Sequence, residues 1–375
     1  MNSKNPSILY IFGFGRSKLI NSEEVYPNDF FYGYFDVKDK YKKTSFIEFE
    51  SGIKNNFFNK VLTIFSKILR KLTKLSFFFE NICTYKNFKI LMRSDKVVLT
   101  NDRIGLSVLP MLVFIKLIKR SESTVIVMGL LAKQTNTLKS HMLQRLFLII
   151  FFKTVTNFMF LSKGEFQQAE VSYVKYKNKF HFTPFCIDTH FWSQKREKRN
   201  RNQILFVGND GRRDYKLVVK IAENLPQYDF IFITSNITLE QIKSKNVKLF
   251  KGHWNKQILS DHEMKDIYAK SSLSIIPIHN SYQPSGQSVA LQSMSMGVPV
   301  AITHTDGFWD KELFSNSDNI FFVERNIVSL WTQSIIHIMS DLKLQKKISL
   351  EAAKTIDRHY KSDLFSMKLF NILEI

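Results

Sequence analysis

Ser271-Ser-Leu-Ser-Ile-Ile-Pro-Ile278, His279-Asn-Ser-Tyr-Gln-Pro-Ser-Gly286, Gln287-Ser-Val-Ala-Leu-Gln-Ser-Met-Ser-Met296 and Gly297-Val-Pro-Val-Ala-Ile-Thr303 follow one another without a break. Leu273–Ile278 is a short apolar run with β-branched residues and reads as a strand; His279–Gly286 reads as a loop. From Gln287 to Met296 good helix formers return, with apolar side chains at Val289, Leu291, Met294 and Met296. Gly297 supplies a helix stop, and Val298–Ile302 is the next buried strand. In a parallel α/β domain this order sets Ser285, Gly286 and Gln287 at the carboxyl end of a strand, against a helix N-terminus. Free backbone N–H groups and the positive end of the helix dipole make that position suited to phosphate. An ordinary βαβ unit without a ligand is the plain alternative.

Upstream, Gln203–Val207 starts a second unit of the same kind, with Gly208-Asn-Asp-Gly-Arg-Arg-Asp214 as its loop and Tyr215–Asn224 as its helix. Paired arginines in such a loop suit a pyrophosphate, because a guanidinium grips phosphate with two parallel donors. A solvated arginine pair is the alternative. Phe230–Thr234 and Val247–Phe250 are further strands, the second leading into Lys251-Gly-His-Trp254. Lys195–Asn202 is a charged run without apolar residues, as in a linker. In the first half, Ile8–Phe12 precedes Gly13-Phe-Gly15, while Lys18 occupies the third place of a dinucleotide fingerprint. The motif is weak for NAD but adequate for a tight turn that lets substrate approach the backbone. Val97–Thr100 precedes Asn101-Asp-Arg-Ile-Gly105, Thr124–Met128 precedes Gly129, and Phe158–Lys163 is a last strand of this half.

The chain has 375 residues, enough for two α/β domains, and carries a net charge of +21 with 35 Phe. Such a charge implies an acidic partner: nucleic acid, an anionic membrane surface or a phosphorylated substrate. Cys83 and Cys186 lie far apart among apolar neighbours, which suggests a reduced, cytoplasmic setting rather than a disulfide framework. The polar start lacks the apolar segment of a signal peptide. Leu146–Leu161 is interrupted by Lys153, Thr154, Thr156 and Asn157, well short of the ~20 apolar residues a spanning helix needs. Asn56–Phe79 reads as a helix with a stripe of Phe58, Val61, Phe65, Ile68, Leu72, Leu75 and Phe79, flanked by Lys60, Lys67, Lys71 and Lys74. Two readings stand: a helix lying in an anionic bilayer interface, or a surface helix whose stripe packs on the sheet.

Pro284-Ser-Gly-Gln-Ser-Val-Ala-Leu-Gln-Ser-Met-Ser-Met-Gly-Val-Pro-Val300 resembles the donor-binding signature of GT-B glycosyltransferases, in particular glycosyltransferase family 4 (glycosyl transferases group 1). That family carries a glutamate, seven residues and a second glutamate, before a small-residue helix ending in Gly-x-Pro-Val. Here Pro284 and Gln292 take the two acidic positions. Gln292 keeps an acceptor for a ribose hydroxyl, and a glutamate restored there is expected to strengthen donor binding. His181-Phe-Thr-Pro-Phe-Cys-Ile-Asp-Thr-His-Phe-Trp192 resembles the family's end-of-domain segment.

The resemblance implies an α/β architecture of two Rossmann-like domains facing across a cleft. Residues 1–194 would form the acceptor-side domain, 195–202 the linker, 203–355 the nucleotide-sugar domain, and 356–375 a helix returning toward the first. It implies a donor site of Gly208, Asn209, Arg212, Arg213, His253, Trp254, Ser285, Gly286, Gln287 and Gln292, with Gly13, Gly15, Asn101 and Gly129 on the acceptor side. Family members often place a histidine in the stretch after Met128, where this chain has none, so the catalytic residues stay unassigned. The activity implied is retaining transfer of a sugar from a nucleotide sugar to a saccharide or lipid-linked saccharide, in surface polysaccharide or glycolipid synthesis. No Asp-x-Asp occurs, so neither metal nor cofactor is expected. The expected location is the inner face of the cell membrane, bound peripherally to its anionic surface. A sugar-nucleotide epimerase of the same fold would need an acid/base pair that the sequence does not offer. A nucleic-acid binder would fit the charge, but zinc spacing, RNP-like aromatics and helix-turn-helix signals are missing.

Overall fold

Short apolar runs bounded by polar or Gly/Pro loops become strands in the computed structural model, which describes residues 5–49, 57–193, 200, 202–252 and 258–375. They form two six-stranded parallel sheets, in two units. The first sheet contains β1 (Ile8–Phe12), β2 (Thr44–Glu48), β3 (Lys96–Leu99), β4 (Glu122–Val127), β5 (Asn157–Phe160) and β6 (Phe180–Phe182), in the order β2-β1-β3-β4-β5-β6. The second contains β7 (Gln203–Val207), β8 (Asp229–Ile233), β9 (Val247–Phe250), β10 (Leu273–Ile276), β11 (Val300–Thr303) and β12 (Phe321–Val323), in the order β12-β11-β10-β7-β8-β9.

Among the described residues the first half of the chain forms the α-helices α1 (Arg16–Ile20), α2 (Tyr34–Lys40), α3 (Phe57–Thr73), α4 (Tyr85–Arg93), α5 (Asp102–Ile118), α6 (Leu138–Thr154) and α7 (Lys163–Ser172). The second half adds α8 (Tyr215–Glu223), α9 (Asp261–Lys270), α10 (Gln287–Ser295), α11 (Val328–Ser340), α12 (Leu342–His359) and α13 (Ser362–Leu373). In each sheet the chain first builds outward in one direction and then restarts on the other side of its first strand. The reversal falls between β1 and β3 in the first sheet and between β7 and β10 in the second. Loops leaving the carboxyl ends of strands beside such a reversal diverge and leave a crevice, where ligands of open α/β sheets bind.

The division into units differs from the boundaries expected at 194 and 355. The second unit begins at Pro184, runs to Leu364 and also takes in Val25–Phe30, while Phe365–Ile375 pack in the first. Pro184 starts the second unit because the segment after it is anchored there: Ile187 donates to the Tyr360 carbonyl at 2.8 Å and the Trp192 ring meets Tyr268 edge-on. Position 355 is no boundary, because α12 runs through it without a break. In the first unit, Asn157 Nδ2 donates to the Ile372 carbonyl at 3.3 Å and Ser366 Oγ to the Asp36 carboxylate. The edge strands β2, β6 and β12 have no counterpart among the sequence-derived strands; each is short and only partly buried.

Helix α3 is shorter than the expected 56–79, and the span before Phe57 lies outside the described residues. It stops at Thr73 because Lys74 takes a left-handed φ of 60° and Leu75 N–H bonds the Thr73 hydroxyl at 3.2 Å. Leu75 and Phe79 therefore leave the stripe and turn into the core, and Lys74 stands beyond the helix end. The helix itself is inverted. Its inward face is Asn59, Thr63, Ser66, Leu69 and Thr73. Ser66 accepts from Phe79 N–H at 3.1 Å and donates to the buried Glu80 carboxylate at 2.6 Å, and Thr73 Oγ1 donates to the Leu69 carbonyl. Phe57, Phe58, Val61, Ile64, Phe65, Ile68 and Leu72 point to solvent, with Phe58 60% and Ile64 59% exposed. The stripe does not pack on the sheet.

Candidate active site

In the second unit, β7 leads into the loop 208–214 and β10 into the loop 277–286, the two loops that flank the sheet reversal. They meet through an antiparallel bridge between Arg213 and Ile278, with the His279 N–H on the Arg212 carbonyl at 2.8 Å. Arg213 is only 4% exposed. Its Nη1 donates to Asp210 Oδ2 at 2.8 Å, and Nε to the Val207 carbonyl at 3.3 Å. Gly208 makes this placement feasible, since a Cβ there would lie 2.5 Å from Arg213 Nε.

The guanidinium reaches α10. A Cβ on Gly286, the residue that opens this helix, would sit 3.6 Å from Arg213 Nη1. Gly286 has φ 85°, and the same Cβ would press on Ile276 Cγ2 at 2.7 Å, so only glycine fits. Among the described residues no side chain caps α10, and the Ser285 hydroxyl beside its first turn is buried with no hydrogen-bond partner. A buried hydroxyl without a partner costs about 1–3 kcal/mol, which an arriving acceptor would recover. An arginine, a helix N-terminus and an unmet hydroxyl lie next to one another here, a combination suited to an anion such as phosphate. Arg212 holds Gln283 Oε1 at 3.4 Å from the same loop, and the 281–283 backbone lies against Gly307. Arg212, Arg213, Ser285, Gly286 and Gln287 are therefore one constellation.

Two other expected donor residues have different partners. Asn209 Oδ1 accepts from Ser235 N–H at 2.6 Å and Thr234 Oγ1 at 3.1 Å, while its Nδ2 donates to the Gly252 carbonyl at 2.8 Å. Its amide ties together the loops after β7, β8 and β9. Gln292 is buried, with Nε2 donating to Asp29 Oδ2 at 2.7 Å and Oε1 accepting from Tyr268 at 3.3 Å. Its amide nitrogen is thus engaged inside the protein, and its oxygen already accepts one bond. His253 and Trp254 lie outside the described residues.

Asp29, only 3% exposed, is the group that sequence reasoning missed. Besides Gln292 it accepts from Trp192 Nε1 at 2.8 Å and from Asp188 N–H at 2.7 Å. Burial pushes its pKa up to about 6, against the pull of these donors. Asp29 sits in Pro27-Asn-Asp-Phe-Phe-Tyr-Gly33, where an acid among aromatics with no nearby cation was the available signal.

In the first unit the expected residues lie at strand ends, and the Asn101 amide oxygen and the Gly129 N–H are engaged within the fold. Gly15, with φ 97°, opens α1, whose first amides, Arg16 and Ser17, are bonded by the Glu48 carboxylate. Gly13 has open space where a Cβ would go. Asn101 caps α5 by accepting from Ile104 N–H at 2.8 Å. Gly129, with φ 110°, donates to Glu165 Oε2 at 2.8 Å, and Leu131 N–H to Oε1 at 2.8 Å. Glu165 is fully buried; burial first, then the nearby Asp102 carboxyl, pushes its pKa up to about 8 against those two donors. A carboxyl raised in the fold contributes stability that is fully present below the ordinary glutamate value and lost as pH rises through about 8. Thermal unfolding midpoints should therefore fall between about pH 6.5 and pH 8. Glu165→Gln should flatten that fall, and should cost about 1–3 kcal/mol at the acid end, because one amide donor would then face another donor. An unchanged slope in the variant would assign the pH dependence elsewhere.

No protein-family model matches the sequence, and no curated protein matches it either. Solved structures do. HepE from Anabaena in complex with UDP-glucose is similar at 12% identity and TM-score 0.68, over 98% of this chain and 99% of that one. Sucrose-phosphate synthase from Thermosynechococcus elongatus matches at 10% identity and TM-score 0.68, over 98% of each. WaaG, a glycosyltransferase involved in lipopolysaccharide biosynthesis, matches at 12% identity and TM-score 0.61, over 97% of this chain and 99% of that one. The chain has the GT-B fold. In this GT-B chain the constellation around Arg213 and Gly286 lies at the second of the two sheets, beside its reversal point.

Proposed function

We propose that the protein is a glycosyltransferase that takes its sugar from a nucleotide-sugar donor. One observation carries this reading: Arg213 lies beside Gly286, where α10 begins without a side-chain cap among the described residues, next to the buried Ser285 hydroxyl. The UDP and UDP-glucose in the HepE structures support it. In the reaction the bond from the sugar's anomeric carbon to the diphosphate oxygen breaks, an acceptor hydroxyl oxygen bonds that carbon, and its proton is released. Arg213 and the α10 amides would hold the departing diphosphate charge, without a metal. Transfer is proposed to retain anomeric configuration and to serve surface polysaccharide or glycolipid synthesis.

Arg213→Ala should lose ~1.5–3 kcal/mol of UDP binding, about tenfold to 150-fold. The fold should hold, because Asp210 is partly exposed and can hydrate. UDP titration with circular dichroism checks this, and unchanged affinity in a folded variant removes Arg213 from the site. A thermal-stability screen over UDP-, GDP- and ADP-sugars would identify the base, since a binder stabilises the fold by mass action.

The acceptor is proposed to be a saccharide or lipid-linked saccharide at an anionic membrane surface, on its inner face. No helix among the described residues is long and apolar enough to cross a membrane. What supports peripheral binding is the outward stripe of α3 and its neighbours. Phe114 and Leu117 on α5, and Leu138 and Met142 on α6, are also exposed. The only acid within α3, α4, α5 and α6 is Asp102, which is buried, whereas Lys60, Lys67, Lys71, Lys86 and Lys89 are exposed. Apolar rings ringed by cations without acids suit an anionic interface.

A further inference from the structure

Arg103 stands in the first turn of α5, directly after β3, and is exposed. Its guanidinium lies over the Phe78 ring at 3.9 Å and near the Phe49 ring at 5.9 Å. Phe49 follows β2, and its N–H bonds the carbonyl of Phe12, the last residue of β1, at 3.0 Å. Arg103 therefore sits at the carboxyl ends of β1, β2 and β3, beside the reversal of the first sheet. Open α/β sheets bind ligands at such a place.

A second guanidinium shares the ring: that of Arg70, from α3, lies 4.1 Å over Phe78. Arg70 is held by the fold, with Nη1 donating to the Phe77 carbonyl and standing 3.7 Å from the Glu80 carboxylate. Glu80 also accepts from the Ser66 hydroxyl at 2.6 Å. Asp102, the other acid nearby, is buried and accepts from Met128 N–H at 3.2 Å. Arg103 differs. Among the described residues its guanidinium has two rings beside it and no acceptor. Partial burial, and after it the charge of Arg70, pushes its pKa down. Like charges held against one ring raise the energy of the unliganded fold, and a bound anion lowers it. A guanidinium grips phosphate with two parallel donors. We propose that the acceptor carries a phosphate or diphosphate group, bound by Arg103 with Arg70 beside it. The proposal rests on the glycosyltransferase reading, whose substrate class it narrows, but uses no residue of the Arg213 constellation.

The test uses the full chain with excess UDP, which fills the Arg213 constellation. Phenylglyoxal, which modifies guanidiniums, is applied with and without inorganic pyrophosphate, and the modified arginines are mapped by peptide mass. Pyrophosphate is expected to protect Arg103 saturably, while the exposed Arg120 and Arg145 stay reactive. In calorimetric titration Arg103→Gln should weaken pyrophosphate binding by about tenfold or more, with Arg103→Lys in between. A melting curve shows that the Gln variant folds; should it not, protection in the wild type still decides. Decyl phosphate below its micelle concentration, glucose 1-phosphate and decanoate replace pyrophosphate in further arms. Tighter binding of decyl phosphate assigns the group to a lipid acceptor, and tighter binding of glucose 1-phosphate to a soluble one. Decanoate that binds as well as decyl phosphate overturns the proposal. So does protection spread evenly over Arg120 and Arg145, or unchanged affinity in the folded Gln variant. UDP binding without protection of Arg103 sinks the phosphate site alone. Protection of Arg103 in a protein that does not bind UDP keeps the phosphate site and sinks the nucleotide-sugar reading.

Discussion

Changing Lys60, Lys67, Lys71 and Lys74 to Gln is expected to weaken binding to anionic vesicles by roughly a thousandfold. Each lysine near an anionic surface contributes about 1 kcal/mol, so four give about 4 kcal/mol. Lys74 lies past the end of α3, on a left-handed residue, but is as exposed as the other three. Binding of the wild type should fall with added salt, because exposed charges are screened beyond about 8 Å at physiological ionic strength. The variant should bind UDP as before, since α3 belongs to the first unit and the donor constellation to the second. Phe58→Ser with Phe65→Ser should also release the protein while leaving it folded, because both rings are at least half exposed. Vesicle sedimentation with circular dichroism separates these effects. A wild type that stays in the supernatant with anionic vesicles at low salt ends the interfacial reading.

The stripe of α3 shows what periodicity carries and what it leaves open. Spacing of three and four locates an apolar face but not which side of the helix meets the protein. Here Ser66 decides that, through its bonds to Glu80 and the Phe79 N–H, while Thr63 and Thr73 bury their hydroxyls on carbonyls of the helix itself, which leaves the phenylalanines outside. The parallel sheets were legible because buried central strands are apolar throughout, as Gln203–Val207 and Leu273–Ile276 are nearly so. Edge strands such as Thr44–Glu48 face solvent and lose that signature. Around the site, Arg213 and Gly286 were legible because their roles follow from loop position and backbone conformation. Asp29 was not, because its partners Trp192 and Gln292 lie far along the chain, and an acid among aromatics does not say which residues it will meet.

Gln292→Glu is the substitution on which motif and geometry disagree most. By motif it restores the family's acid and should tighten donor binding. By geometry the amide Nε2 that it deletes donates to Asp29 at 2.7 Å in a site closed to water. The new carboxylate would face the Asp29 carboxylate, and two like charges at that distance cannot both ionise. Leaving a buried charge without its partner costs ~3–5 kcal/mol, so a large loss of stability is expected at pH 8. The loss should shrink toward pH 5. Asp29 already has its pKa raised to about 6, so below that value it holds a proton that it can donate to the introduced carboxylate. Trp192 and Asp188 would keep their bonds to Asp29 in either state. Thermal unfolding of both proteins at pH 5 and pH 8, with UDP titration at each, reads the outcome directly. A variant as stable as the wild type at pH 8 that binds UDP more tightly would return position 292 to the ribose and leave Asp29 a bystander.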